Sequence, residues 1–164
     1  MTEVYLALGS NVGDSRQYIG SAIGLLGNVL ADIKQAPLYT SRAVGYTDQA
    51  DFINTAVGGY TDLSPEELLK AVNNIEQLLG RVERFRWGPR EIDIDIIFYG
   101  DTVLETERLT IPHPACRDRD FVLQPLCDLN PQLIDPVSGQ TVHQLLAQLE
   151  SSQKSIRPEV DGAA

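Results

Sequence analysis

The sequence predicts an α+β fold, an antiparallel sheet with helices packed on it, and three observations carry the prediction. An apolar strand-like run opens the chain. Two stretches with apolar residues at helical spacing follow, separated by two further strand-like runs. A fourth strand with period-two alternation closes the series. The order β-α-β-β-α-β, with a C-terminal extension, is the split βαβ or ferredoxin-like pattern. A length of 164 residues fits one domain over 1–150, and the polar, non-periodic remainder, 151–164, reads as a loose tail.

Glu3–Ser10 is mostly apolar and reads as a central strand. The loop Gly9–Asp14 resembles a phosphate loop but lacks the Gly-Lys-Ser/Thr ending, so it reads as a strand–helix connection. Ser15–Leu30 is an amphipathic helix through Ile19, Ala22, Ile23, Leu26, Val29 and Leu30. Its glycines 20, 24 and 27 weaken it or let it lie close to the sheet. Ile33–Ser41 reads as the second strand, Arg42–Ala50 as a polar loop and Asp51–Val57 as the third strand. Ser64-Pro65-Glu66-Glu67 marks a helix start: Ser64 caps, Pro65 takes the first position and Glu67 closes a capping box. Leu68, Leu69, Val72, Ile75, Leu78 and Leu79 make its buried face, and Gly80 ends it. Arg81–Pro89 is a loop and Glu91–Tyr99 the fourth strand. The bracketing prolines of Ile111-Pro112-His113-Pro114 exclude helix and central strand. Val122–Leu129, with Asp120 as its cap, and Thr141–Leu149 are short helices on either side of the loop Asn130–Gly139, and His143 reads as exposed.

The chemistry concentrates in 81–119. On the fourth strand Glu91, Asp93 and Asp95 point one way, with Ile97 and Tyr99 beyond them, while Ile92, Ile94, Ile96 and Phe98 point the other. Carboxylates two residues apart on one face lie roughly 6.5–7 Å apart at the backbone. Like charges that close repel unless a cation intervenes. Mg²⁺ takes carboxylate oxygens while keeping places for phosphate, and a pair of ions can share two such carboxylates. Arg81, Arg84, Arg86 and Arg90 precede this strand and Arg117 and Arg119 follow it, six of the chain's 13 Lys and Arg. Arginine grips phosphate oxygens in a bidentate fork. Carboxylates ringed by arginines read as metal–polyphosphate chemistry; surface ion pairs on an edge strand are the plainer alternative. Elsewhere Phe52 and Asn54 share a face, either as core and incidental polar residue or as a seat for a flat heterocycle. Asn73 and Glu76 are neighbours on a helix flank, by themselves merely solvated. His113, rigid between prolines, is a ligand contact or a structural residue.

A net charge of −10 and a pI near 4.5 argue against nucleic acid and against an anionic membrane surface. The local arginines within an acidic shell suit one small polyanion. Met1–Tyr5 has no basic region or long apolar run, which reads as a cytoplasmic protein without a signal peptide or membrane span. Cys116 and Cys127 have no metal-like spacing and read as free thiols. Nothing in the sequence demands a second copy, so a monomer is expected.

The run Arg86-Trp87-Gly88-Pro89-Arg90-Glu91-Ile92-Asp93-Ile94-Asp95-Ile96 closely resembles the signature of the 6-hydroxymethyl-7,8-dihydropterin pyrophosphokinases of folate biosynthesis. The resemblance extends from Ala7-Leu8-Gly9-Ser10-Asn11 through Phe52-Ile53-Asn54 and Pro112-His113-Pro114 to Val122–Leu126. It implies transfer of the β,γ-pyrophosphoryl group of ATP, the co-substrate, to the hydroxymethyl group of a reduced pterin. It further implies two Mg²⁺ ions on Asp93 and Asp95, with Arg81 and Arg90 engaging the phosphates. Asn73, Glu76, Ile96, His113 and Arg119 would contact the nucleotide with those two arginines. Phe52 and Phe121 would sandwich the pterin, Asn54 would bond its edge, and Ser41, Val44 and Trp87 would complete its site, Trp87 from a closing loop. The chain departs from the pattern in three places. Tyr39–Gly45 lacks the usual proline, Asn73 replaces a common Gln, and Arg81–Arg90 is one residue shorter than in some members. A divergent paralogue with altered pterin specificity, or a nucleotide-binding module without turnover, is the alternative.

Overall fold

The computed structural model describes residues 1–43 and 48–150 and the backbone of 157–158. The strands are β1 (Thr2–Ser10), β2 (Ala31–Gln35), β3 (Tyr39–Ser41), β4 (Phe52–Thr61), β5 (Asp93–Tyr99), β6 (Leu104–Glu105), β7 (Thr110–Ile111) and β8 (Arg157–Pro158). The helices are α1 (Ser15–Leu26), α2 (Pro65–Leu78), α3 (Asp120–Leu129) and α4 (Val142–Ala147), with a 3₁₀ turn at Cys116–Asp118. The main sheet is antiparallel in the order β5-β1-β4-β3-β8, with β2 also pairing β4, and β6 and β7 form a separate hairpin. Counting β2 and β3 as one interrupted strand, this is the ferredoxin-like order expected from the element sequence.

Alternation in β1 decides which residues meet which layer. Val4, Leu6 and Leu8 face a core built with α1 and α2 (Ile19, Leu26, Leu68, Val72, Ile75), joined by Ile94 and Ile96 of β5. Tyr5 faces the opposite core, with Phe98, Leu123, Leu126, Val142 and Leu145. The C-terminal extension therefore does not simply follow the sheet: α3 and α4 cover the face that α1 and α2 leave bare. Ala7 lies at the margin of this cover, and beyond it, toward Gly9, the same face opens into a cleft.

Several local expectations are corrected. The strand expected over Ile33–Ser41 is two, β2 and β3, with Pro37, which has no N–H to give a ladder, in the gap. β4 runs past Val57 to Thr61 through Gly58, where an added Cβ would stand 2.9 Å from the Tyr5 ring. α1 stops at Leu26, and its glycines 20 and 24 face solvent rather than the sheet. The capping box of α2 forms as expected, but Leu78 is exposed and Glu76 takes a buried place on the helix. Asp120 is the first residue of α3, not its cap.

The alternation of β5 breaks at Ile97. Tyr5 pairs with Phe98 but Leu6 with Ile96, so Ile97 is a bulge. Phe98 consequently turns into the α3 core, while Tyr99 turns to the α2 side and donates to the Leu63 carbonyl (2.5 Å). Glu91 precedes the strand and does not share its acidic face. In the segment expected to be a loose tail, Arg157 and Pro158 pair with β3; the rest of 151–164 lies outside the described residues.

Candidate active site

The register of three strands builds the floor of the cleft. Gly9 lies opposite Asp93 on one side and Asn54 on the other, and Ala7 lies opposite Asp95 and Ala56. Carboxylates on β5 and the aromatic–amide pair on β4 are thus two strand spacings apart, about 10 Å, with only Gly9 and Ala7 between them. A Cβ at Gly9 would sit 3.3 Å from Asn54 Oδ1 and begin to fill this floor. The walls are Ser41, Arg42, Phe52, Phe121, His113, Arg119 and, from the 81–90 loop, Trp87, Gly88 and Arg90. The space, open mouth and adjoining solvent included, is about 740 Å³.

At the acidic end Asp93 is held from both sides. Its Oδ1 accepts from Arg81 (3.2 Å) and its Oδ2 from Arg90 (2.8 Å). Arg81 also donates to Glu76 (2.6 Å), whose same oxygen accepts the Ile94 N–H (2.9 Å). Burial pushes the Glu76 carboxyl up to about 6 despite these bonds. Asp95 has no arginine at hydrogen-bond distance among the described residues; His113 Nε2 stands 3.9 Å away. Burial, then the charges of Asp93 and Glu76, push its carboxyl well above the usual carboxylate range. His113 Nδ1 accepts the Ala115 N–H, which leaves Nε2 to carry the proton toward Asp95. Burial and the Arg119 guanidinium lower its pKa, favouring the neutral ring.

At the aromatic end Asn54 donates to Ser41 Oγ (2.7 Å), which fixes the amide on the cleft wall. Arg119 lies over both the Trp87 ring (5.7 Å) and the Phe121 ring (5.6 Å), and Arg86 over Trp87 (4.9 Å). Trp87 has a left-handed backbone, φ 66°, unusual for a large residue. Two bonds hold it there: Gly88 N–H to Phe85 O (3.0 Å) and Gln49 Nε2 to Trp87 O (2.7 Å). Asn11 ties the neighbouring loops together. Its amide donates to Gln49 Oε1 (2.8 Å) and Ala50 O (2.9 Å), and its Oδ1 accepts the Arg90 N–H (2.8 Å).

Of the residues singled out from the sequence, the cleft gathers Ser41, Phe52, Asn54, Trp87, Arg90, Asp93, Asp95, His113, Arg119 and Phe121, and Arg81 and Glu76 stand behind Asp93. It does not gather the others. Ile96 is 3% exposed in the α1–α2 core, on the face opposite Asp95, so its side chain is no nucleotide contact. Asn73 is exposed on α2 and outside the cleft lining. Val44 lies outside the described residues. Among the flanking arginines, Arg117 turns away to the buried Asp135 (2.5 and 3.0 Å) and Arg84 to Glu91. Sequence reasoning missed Gln49 and the bridging role of Asn11. The only signal was an amide side chain in each of two loops flanking the same strand pair, which spacing alone cannot connect.

Asp93 and Asp95 supply oxygen donors suited to a hard cation, and the unrelieved charge at Asp95 is what such an ion would neutralise. Among the described residues no group of three or more His, Cys, Asp or Glu side chains forms a metal cage.

Residues 5–131 match the model of the family described as 7,8-dihydro-6-hydroxymethylpterin-pyrophosphokinase (HPPK). The chain belongs to this family. Its relatives include the 2-amino-4-hydroxy-6-hydroxymethyldihydropteridine pyrophosphokinase of Aquifex aeolicus, 46% identical over 137 residues that cover 84% of this chain and 86% of that one. The Bacillus subtilis protein of the same description is 44% identical over 131 residues, 79% of this chain and 78% of that one. Among solved structures, a Plasmodium falciparum HPPK-DHPS triple mutant superposes with a TM-score of 0.73 at 16% identity, covering 90% of this chain and 43% of that chain. At that identity the likeness speaks for the fold alone. Membership of the family makes this chain an enzyme, a pyrophosphokinase of folate biosynthesis. No helix among its described residues is long and apolar enough to cross a membrane.

Proposed function

We propose that this chain transfers the pyrophosphoryl group of ATP to the hydroxymethyl group of 6-hydroxymethyl-7,8-dihydropterin, giving AMP and the pterin diphosphate. The observation that carries the reading is the floor row Asp93–Gly9–Asn54. It sets a pair of carboxylates flanked by arginines and an aromatic–amide pair on one sheet face about 10 Å apart, which supports phosphates at one end and a flat heterocycle at the other. Phe52 and Phe121 would stack on the two faces of the pterin, with Asn54, fixed by Ser41, bonding its edge. Asp93 and Asp95 would hold Mg²⁺, two ions in the full reading. When bound, the metal supplies charge neutralisation on the triphosphate and Lewis-acid polarisation. Arg81 and Arg90 neutralise Asp93, Arg81 from behind it and Arg90 from the cleft lining, so Arg90 can exchange that carboxylate for phosphate oxygens as charge develops while Arg81 keeps Asp93 in place. His113, neutral with Nε2–H directed at the acidic end, and Arg119 would serve the nucleotide. Trp87, pinned over the mouth, would exclude water and so suppress hydrolysis of ATP.

Among the described residues no side chain of the cleft stands out as a general base; alignment and electrostatics supply the catalysis. Altered pterin specificity is the second reading, favoured by the absence of proline in Tyr39–Gly45. A panel of 6-substituted dihydropterins assayed for pterin-dependent AMP separates the two, because only the first reading requires the hydroxymethyl compound to be turned over best.

A further inference from the structure

We propose that Glu91 is a positioning residue: with Arg84 it clasps the base of the 81–90 loop and keeps Trp87 and Arg90 over the cleft before any ligand binds. Glu91 is 5% exposed although it lies outside the cleft lining. Its Oε1 accepts the Val82 N–H (3.2 Å) and Arg84 Nη1 (2.8 Å), and its Oε2 accepts Arg84 Nη2 (2.7 Å). Arg84 also donates to the Pro89 carbonyl (3.2 Å). The first residues of the loop are thereby sewn to its last. Only Phe85–Gly88 remains as a tip, itself closed by the Gly88 N–H to Phe85 O bond (3.0 Å).

A loop tied in this way moves as a body about its ends, and Gly80, with φ 86°, is the conformationally permissive residue at one of them. Glu91 reaches no ligand position, so its effect passes through the fraction of molecules whose loop is already in place. When that fraction falls, apparent affinities fall in proportion, while the rate at saturation is largely kept because ligands close the loop themselves. The kinetic half of this inference rests on the proposed pyrophosphoryl transfer; the conformational half does not.

The sequence holds a single tryptophan, Trp87, so its fluorescence reports the loop alone. Acrylamide quenching of the ligand-free protein is compared for wild type, Glu91→Gln, Arg84→Gln and the double variant. Each single variant is expected to raise the quenching constant about twofold, the double variant no further, and saturating ATP, Mg²⁺ and pterin to remove the difference. In turnover, KM for the pterin should rise about 5- to 10-fold with kcat within about twofold. Arg84→Lys, on the more exposed side of the pair, keeps the charge but loses the fork. It should shift quenching in the same direction even if Glu91→Gln fails to fold. Unchanged quenching in the variants, additive effects, or a loss confined to kcat would overturn the clasp. A wild type without pterin-dependent turnover would instead overturn the function, leaving the quenching result to judge the clasp by itself.

Discussion

Glu76→Gln should make the protein more stable and less active at once. The carboxylate of Glu76 is buried beneath Asp93, and its two bonds, from Arg81 (2.6 Å) and the Ile94 N–H (2.9 Å), do not offset the loss of water. Burial raises its pKa from 4.5 to about 6. A carboxyl raised in the folded state binds more protons folded than unfolded, so its contribution to stability falls as pH rises from about 4.5 to about 6 and stays lost above. That rise corresponds to about 2 kcal/mol at neutral pH. Glutamine keeps the volume and an acceptor for Ile94 but weakens the bond to Arg81, which returns about 1 kcal/mol of the gain. The net expectation is about 1 kcal/mol, or about 2–4 °C in Tm for a chain of this size. Thermal melts in EDTA across pH 4 to 8 provide the assay, read as variant minus wild type so that other titrating groups cancel. The difference should be near zero or negative below pH 4.5 and grow positive through pH 6. Turnover should meanwhile fall about tenfold, because Arg81 keeps only Asp93. A variant that melts below wild type at pH 7.5 would show that the Arg81 pair outweighs the cost of burial and would refute this reasoning.

Asp95→Asn should cost about 100-fold or more in turnover while leaving Tm unchanged or raised, since it removes the repulsion from Asp93 and Glu76; Mn²⁺ binding followed by electron paramagnetic resonance should weaken in parallel. For Glu91 the pH dependence has the opposite sign: the Arg84 guanidinium holds its carboxyl down at about 2, so the stability it confers is present above pH 4.5 and drains away toward pH 2. Acid melts of Glu91→Gln should lack that loss. Gly88→Ala places a Cβ 2.8 Å from Phe85 O, which should open the Trp87 turn and raise pterin KM several-fold with little change in Tm. Asn11→Ala removes three bonds shared by three loops and should lower Tm by several degrees and raise KM for both substrates.

The parts of the site that were legible in the sequence are those governed by local periodicity. Period-two alternation put Asp93 and Asp95 on one face, and the capping box fixed the start of α2, which delivers Glu76 and Arg81. The same rule failed beyond Ile97, at Phe98 and Tyr99, because a bulge reflects how two strands pair and leaves no mark in either strand alone. It also failed at Glu91, whose direction is set by Arg84 rather than by a ladder that begins only at Asp93. Charge counting gathered six arginines, but burial and partners sort them: Arg117 belongs to Asp135, Arg84 to Glu91, and the rest to the cleft or its rim. The link from Asn11 through Gln49 to Trp87 joins residues 38 apart in sequence at each step, and it could be seen only once the sheet had brought the loops together.

One measurement bears most directly on the whole account: the appearance of AMP when the purified protein is incubated with ATP and MgCl₂, with and without 6-hydroxymethyl-7,8-dihydropterin. The account predicts AMP that depends on the pterin, is lost in Asp95→Asn and is accompanied by no ADP. ADP in place of AMP, or AMP at the same rate without the pterin, would contradict it.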